Sequence, residues 1–149
     1  MYAYDKTNPD YGDIVVFSKP DGQLYIFRVV GKPGDTIEVN RNKVTINGKP
    51  NALEQIRTTT IDGMPVIELE ETLPNGHKHK VLHYEQSEDE YIINNISIVL
   101  PADSFFVLGD NRDNAFDSRY DGLVGKDQIK GRIRYSYWNK FEKDRHSID

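Results

Sequence analysis

The chain has 149 residues, with 19 Lys plus Arg against 24 Asp plus Glu and a formal charge of -5. That length suffices for one domain with its own core, and that charge argues against nucleic acid as a partner. No cysteine is present, which excludes a disulfide framework and thiolate metal sites. No run of about 18 apolar residues occurs, and the opening MYAYDKTNPDYGD has neither the basic start nor the apolar stretch of a signal peptide. Nothing in the chain is therefore expected to span a membrane, and any anchor would lie upstream.

Short β-branched and aromatic runs punctuated by Gly, Pro, Asn and Asp predict a mainly β domain of antiparallel sheets with little helix. In chain order the expected strands are Asp13–Phe17, Gln23–Val30, Thr36–Asn40, Lys43–Ile46, Val66–Glu70, Lys80–Tyr84, Ser104–Leu108 and Gly131–Tyr137. Arg41-Asn42 and Asn47-Gly48 mark two tight turns, so DTIEVNRNKVTINGKP reads as a hairpin with a second turn behind it. The segment 51–95 is more polar, holds Asp62-Gly63, Pro74-Asn75-Gly76 and the acidic run EQSEDE, and reads as a variable inserted sheet within a single domain spanning 1–149. Helical character is confined to Glu85–Tyr91 and a turn after Gly125, where KDQI begins. The charged tail 139–149 is expected to fray.

The richest stretch is FFVLGDNRDNAFDSRYDGLV, where an apolar strand ends at Gly109 and a loop of Asp, Asn, Arg and Ser follows. Polar loops at strand ends are where sites are built. The same residues also fit a purely structural loop, with Asp and Asn capping backbone groups and Arg112 and Arg119 pairing with carboxylates. Asp110, Asp113, Asp117 and Asp121 crowd together as calcium ligands would. The EF-hand spacing fails, because the sixth position from Asp113 is Ser118 rather than Gly and the twelfth is Val124 rather than Glu. Of His77, His79 and His83, the first two would share a strand face, a spacing that suits a metal, but Lys78 and Lys80 interleave with them and a solvated positive patch is the expected reading. No metal and no cofactor is expected.

Gly109-Asp110-Asn111-Arg112-Asp113-Asn114-Ala115-Phe116-Asp117-Ser118-Arg119 resembles the last sequence box of bacterial type I signal peptidases, G-D-N-R-x-x-S-x-D-S-R, departing only at the serine, which stands here as Ala115. Tyr11-Gly12-Asp13-Ile14-Val15-Val16-Phe17 resembles that family's R-G-D-I-V-V-F strand, and Arg28-Val29-Val30-Gly31-Lys32-Pro33-Gly34-Asp35 its R-V-I-G-x-P-G-D strand and turn. The resemblance implies a serine peptidase fold that processes signal peptides, with a serine nucleophile and a neutral lysine as general base. A lysine serves as base only when burial and neighbours lower its pKa, and an adjacent serine hydroxyl helps orient its amine.

Carried over residue by residue, the lysine position immediately precedes the arginine of R-V-I-G-x-P-G-D and is Phe27 here, while the supporting serine is Ala115. The nucleophile box, S-M-x-P-T-L, lies some tens of residues upstream of G-D-I-V-V-F in the family and does not occur in these 149 residues. Phe27 is expected to be a buried ring. A hydroxyl buried beside it would lack a partner at a cost of about 1 to 3 kcal/mol, which an alanine avoids. Lys32 sits in a Gly-Lys-Pro-Gly turn, and Ser18-Lys19 are adjacent strand-end residues facing apart, so neither is expected to restore a catalytic pair. No catalytic residue remains in this reading.

The resemblance also implies that Val16, Tyr25 and Ile26 line signal-peptide subsites, and that Gly109, Asp110, Asn111, Arg112, Asp117, Ser118 and Arg119 form a structural site loop whose Asp117 and Arg119 are an ion pair. The expected role is non-catalytic binding of an exported preprotein or signal peptide at the outer, extracytoplasmic face of the cytoplasmic membrane, reached through an N-terminal anchor absent from this chain. The alternative from a different class is an interaction or assembly module for exported or surface proteins whose substrate groove is not used.

Overall fold

The favoured two-residue hairpin loops place one or both central residues in left-handed backbone, which Asn and Gly tolerate best. The strand β3 (Thr36–Asn40) pairs antiparallel with β4 (Lys43–Ile46), and Asn40 faces Lys43 across the connection, with Arg41 at φ 54°. Asn47 and Gly48, at φ 52° and 79°, then turn the chain into the short β5 (Lys49–Pro50). The structure is a computed structural model, in which residues 8–41, 43–85 and 95–133 are described.

Three antiparallel sheets result. The first contains β1 (Ile14–Ser18), β2 (Leu24–Gly31), β10 (Ser104–Leu108), β11 (Val124–Gly125) and β12 (Ile129–Ile133), in the order β11-β10-β2-β1-β12. The second runs β5-β4-β3-β9, with β9 at Ile96–Val99. The third is the insert, β6 (Ala52–Ile61), β7 (Met64–Thr72) and β8 (Lys78–Tyr84). The mainly antiparallel β architecture with little helix agrees with the sequence reading.

The first sheet is buried on both faces where β10 meets β2, which is why FFVL and RVVG read as continuous apolar runs rather than alternating ones. On one face Phe105 and Val107 pack with Val15, Phe17, Val29 and Val124. On the other, Phe106 and Leu108 join Val30 and reach the second sheet through Ile37, Val39, Val44 and Ile46, with Leu73 of the insert closing the cluster.

The strand β6 was not expected. Its sequence ALEQIRTTTI is polar because it is an edge strand whose residues are mostly exposed, so no face of it carries an apolar period. The KDQ stretch forms a 3₁₀ turn (Lys126–Gln128) rather than opening an α-helix. Among the described residues the one α-helical turn, α1 (Ser118–Asp121), lies in the polar loop instead, capped at its start by Asp117. Beyond Glu85, the expected helix Glu85–Tyr91 lies outside the described residues, as do positions 134–137 of the last expected strand and the tail 139–149. Among the described residues no helix is long and apolar enough to cross a membrane.

Candidate functional site

The polar loop 109–119 leaves the end of β10 and is held by side chains from four directions. The Asp117 carboxylate is fully buried, accepts from Gly109 N at 2.9 Å, and is paired with Arg119 Nε and Nη2, each at 2.9 Å. Arg119 Nη2 also donates to Arg112 O at 2.5 Å. Ser118 Oγ accepts from Val107 N at 2.9 Å, tying α1 to β10. Arg112 Nε donates to Gly109 O at 3.0 Å while its Nη1 and Nη2 reach Glu71 of the insert at 3.2 and 2.6 Å.

Asp110 takes a two-pronged bond from Arg28, at 2.9 and 2.8 Å, and Arg28 Nη1 donates to Gly12 O at 2.8 Å. Gly12 has φ 89° and a methyl group there would strike the His77 ring, so this arginine-bearing turn admits only glycine. The β8 strand adds backbone bonds, Leu82 N to Asp110 O at 2.9 Å and Arg112 N to Leu82 O at 3.0 Å, with Leu82 bridging Asn111 in parallel.

Glu71 is fully buried. Burial raises a carboxyl pKa, but the Arg112 guanidinium and His79 outweigh it and hold Glu71 down at about 2. Burial likewise raises Asp113, and the bonds from His83 and from Tyr84 N outweigh it, leaving Asp113 below the ordinary carboxylate range. The histidines correct the solvated-patch expectation. His79 and His83 are buried, because the odd-numbered positions of β8 form its inner face, and only Lys78 and Lys80 point outward to water. His79 lies 3.2 Å from Glu71, and His83 lies 3.5 Å from Asp113. Glu71 is the site-region residue that motif reading missed, and Arg28, though part of the R-V-I-G-x-P-G-D match, was not assigned to the loop it holds through Asp110. A glutamate on the inward face of β7 opposite a buried arginine is the signal, visible only once register is known.

Phe27 and Ala115 flank one point of the backbone. A Cβ built on Gly109 would collide with Ala115 Cβ and lie 3.3 Å from Phe27 Cε1. The ring is only half-buried, contrary to the expected full burial. It packs on Phe17 at 6.2 Å between centroids, yet also forms a wall of two cavities, one of about 230 Å³ on the Phe17 side and a notch of about 130 Å³ beside Gly109 and Ile26.

Of the three expected subsite residues, Val16 and Ile26 are cross-strand partners on one face, Val16 buried and Ile26 51% exposed. Tyr25 is on the opposite face, stacked on Phe17 and bonded through its hydroxyl to Asp21 at 2.9 Å. The β2 strand pairs with β10 only from Arg28 onward, so residues 24–27 present an unpaired backbone edge among the described residues. Lys32 bonds Asp10 at 3.0 Å and lies over the Tyr11 ring. Lys19 is paired with Asp121 and lies over the Tyr25 ring.

The family described as Signal peptidase, peptidase S26 matches residues 1–138 of this chain. The chain belongs to the S26 signal peptidase family. Signal peptidase IB of Staphylococcus aureus (strain Mu50 / ATCC 700699) is 32% identical over 153 residues, covering 100% of this chain and 71% of that protein. Signal peptidase I of Leptolyngbya laminosa is 32% identical over 145 residues, covering 91% of this chain and 56% of that protein. A crystal structure of a signal peptidase I from Enterococcus faecalis V583 superposes with a TM-score of 0.55 at 25% identity, covering 85% of this chain and 97% of that one. The antiparallel sheets described above are thus the signal peptidase I fold, and in this S26 chain the loop 109–119 closes the same sheet that carries Phe27.

Proposed function

We propose that this chain is a non-catalytic member of the S26 family, folded as one domain with a variable insert, that binds an extended segment of an exported, signal-peptide-bearing protein. The observation that carries this reading is Phe27. A half-buried aromatic ring, flanked by the methyl of Ala115, stands where the family resemblance puts a general-base amine and its supporting hydroxyl. A ring accepts no proton, and the lysine that lines the same cavity, Lys19, is committed to Asp121.

Binding needs no such group. Among the described residues the edge of β2 at 24–27 is unpaired, and, bordered by exposed Leu24 and Ile26, it offers main-chain donors and acceptors to an added strand. We assign Val16 and Ile26 to one face of that edge and Tyr25 to the other, both reached by the alternating side chains of an added strand, and Gly109, Asp110, Asn111, Arg112, Asp117, Ser118 and Arg119 to the scaffold that fixes the end of that edge. The outer face of the cytoplasmic membrane is the proposed location, in keeping with relatives named signal peptidases.

A second reading, an assembly module that leaves this edge unused, is favoured by the ten-residue β6, a long strand on an open sheet edge. Incubation with a preprotein bearing a small-residue cleavage site separates these readings from an active enzyme. No processing above the buffer control is expected, and site-specific cleavage that scales with chain concentration overturns the proposal. Loss of preprotein capture on Ile26→Asp, with no effect of Thr59→Pro on β6, selects the β2 edge over the assembly reading.

A further inference from the structure

Resting on the peptide-binding reading above, we infer that the bound segment places a bulky apolar side chain, aromatic in size, into the cavity beneath Phe27 rather than the small side chain of a cleavage site. The cavity measures about 230 Å³. An apolar protein cavity of about 150 Å³ already holds a benzene ring.

Its floor is Phe17, Phe27, Val107 and Val124, all from the first sheet, and its roof comes from Phe116–Ser118 and Asp121–Leu123. The polar groups of the lining are already committed, Lys19 to Asp121, Asp117 to Arg119, Ser118 Oγ to Val107 N and Gln128 to Gly125 N and Ser18 O, so a charged side chain would lose its hydration without gaining a free partner. The exposed Phe116, stacked on Tyr120 at 6.0 Å, extends the apolar wall out to solvent.

The cavity is placed to be used from the free edge. Successive side chains of a strand point to opposite faces of its sheet. A strand added beside residues 24–27 therefore sends every second side chain to the face that carries Phe17 and Phe27, where the cavity lies, and the intervening ones to the face of Ile26. Val107 and Phe116 wall the cavity on the β10 side of β2, the side on which that edge is unpaired among the described residues.

The test uses the full 149-residue chain and two fluorescein-labelled decapeptides of Thr and Val that differ at one central position, Phe or Ala, read by fluorescence anisotropy. The Phe peptide is expected to bind about tenfold more tightly, equivalent to about 1.4 kcal/mol. Pro20→Trp, at an exposed position on the cavity rim, should reduce the Phe peptide to the affinity of the Ala peptide while leaving the Ala peptide unchanged. Equal affinities for the two peptides in the parent chain overturn the inference and leave the binding reading standing. Failure of both peptides to bind overturns the binding reading and the inference with it, and a Phe advantage that survives Pro20→Trp overturns the assignment to this cavity.

Discussion

Replacing Asp117 by alanine is the most direct test of the loop as a buried scaffold. Its two carboxylate oxygens accept four bonds, from Gly109 N, Arg119 N and two nitrogens of the Arg119 guanidinium. Asp117 is 2% exposed and Arg119 9% exposed, so the substitution strands a guanidinium out of water and leaves the Gly109 amide without an acceptor. Breaking a buried pair from one side costs about 3 to 5 kcal/mol. The two losses overlap, so the upper half of that range is the expectation rather than their sum. For a chain of this size each kcal/mol moves the melting temperature by about 2 to 4 °C, giving a fall of about 10 °C or more for Asp117→Ala by circular dichroism or calorimetry. The double variant Asp117→Ala/Arg119→Leu, which removes the stranded charge as well, should recover part of that loss. A melting temperature within a degree or two of the parent would refute the buried-scaffold argument and restore the picture of a solvated loop.

Three other outcomes follow from the same geometry. Glu71 is depressed from 4.5 to about 2 in the fold, so its contribution is fully present above pH 4.5 and is lost as pH falls toward 2; urea titrations between pH 5 and 2.5 should lose stability on the order of 3 kcal/mol, and Glu71→Gln should flatten that slope. Gly109→Ala should lower the melting temperature by several degrees, because the new methyl meets Ala115 Cβ and the Phe27 ring, and the double variant Gly109→Ala/Phe27→Ala should be less destabilised than the two single changes predict. Ala115→Ser should cost under about 1 kcal/mol rather than the full penalty of an unpaired hydroxyl, because Ala115 is half-buried and water can reach the new group, and a loss above about 2 kcal/mol by chemical denaturation would contradict that.

Much of the fold was legible because local signals agreed with the final pairing. Alternation and the Arg41-Asn42 and Asn47-Gly48 turns placed β3, β4 and the turn behind them, though the short β5 was not expected as a strand, and the apolar runs marked β1, β2 and β10. The strand β6 was not legible, since an exposed edge leaves no apolar period in the sequence. The loop that carries the candidate site was legible as a motif, including the Asp117–Arg119 contact now seen at 2.9 Å. Its outer supports were not. Glu71 lies 41 residues from Arg112, and His79 and His83 were taken for surface residues because single-residue charge says nothing about which strand face turns inward. The half-exposure of Phe27 was equally invisible, because it depends on two cavities formed by segments distant in sequence.

The contacts that fix the loop have a kinetic consequence. Arg28 meets Asp110 across 82 residues of chain and Arg112 meets Glu71 across 41. Such closures cost chain freedom before their contacts repay it, so the loop is expected to order after the local β3–β4 and β6–β7 hairpins. Pulse-labelled hydrogen exchange would check this, and loop amides protected before those hairpins would contradict it.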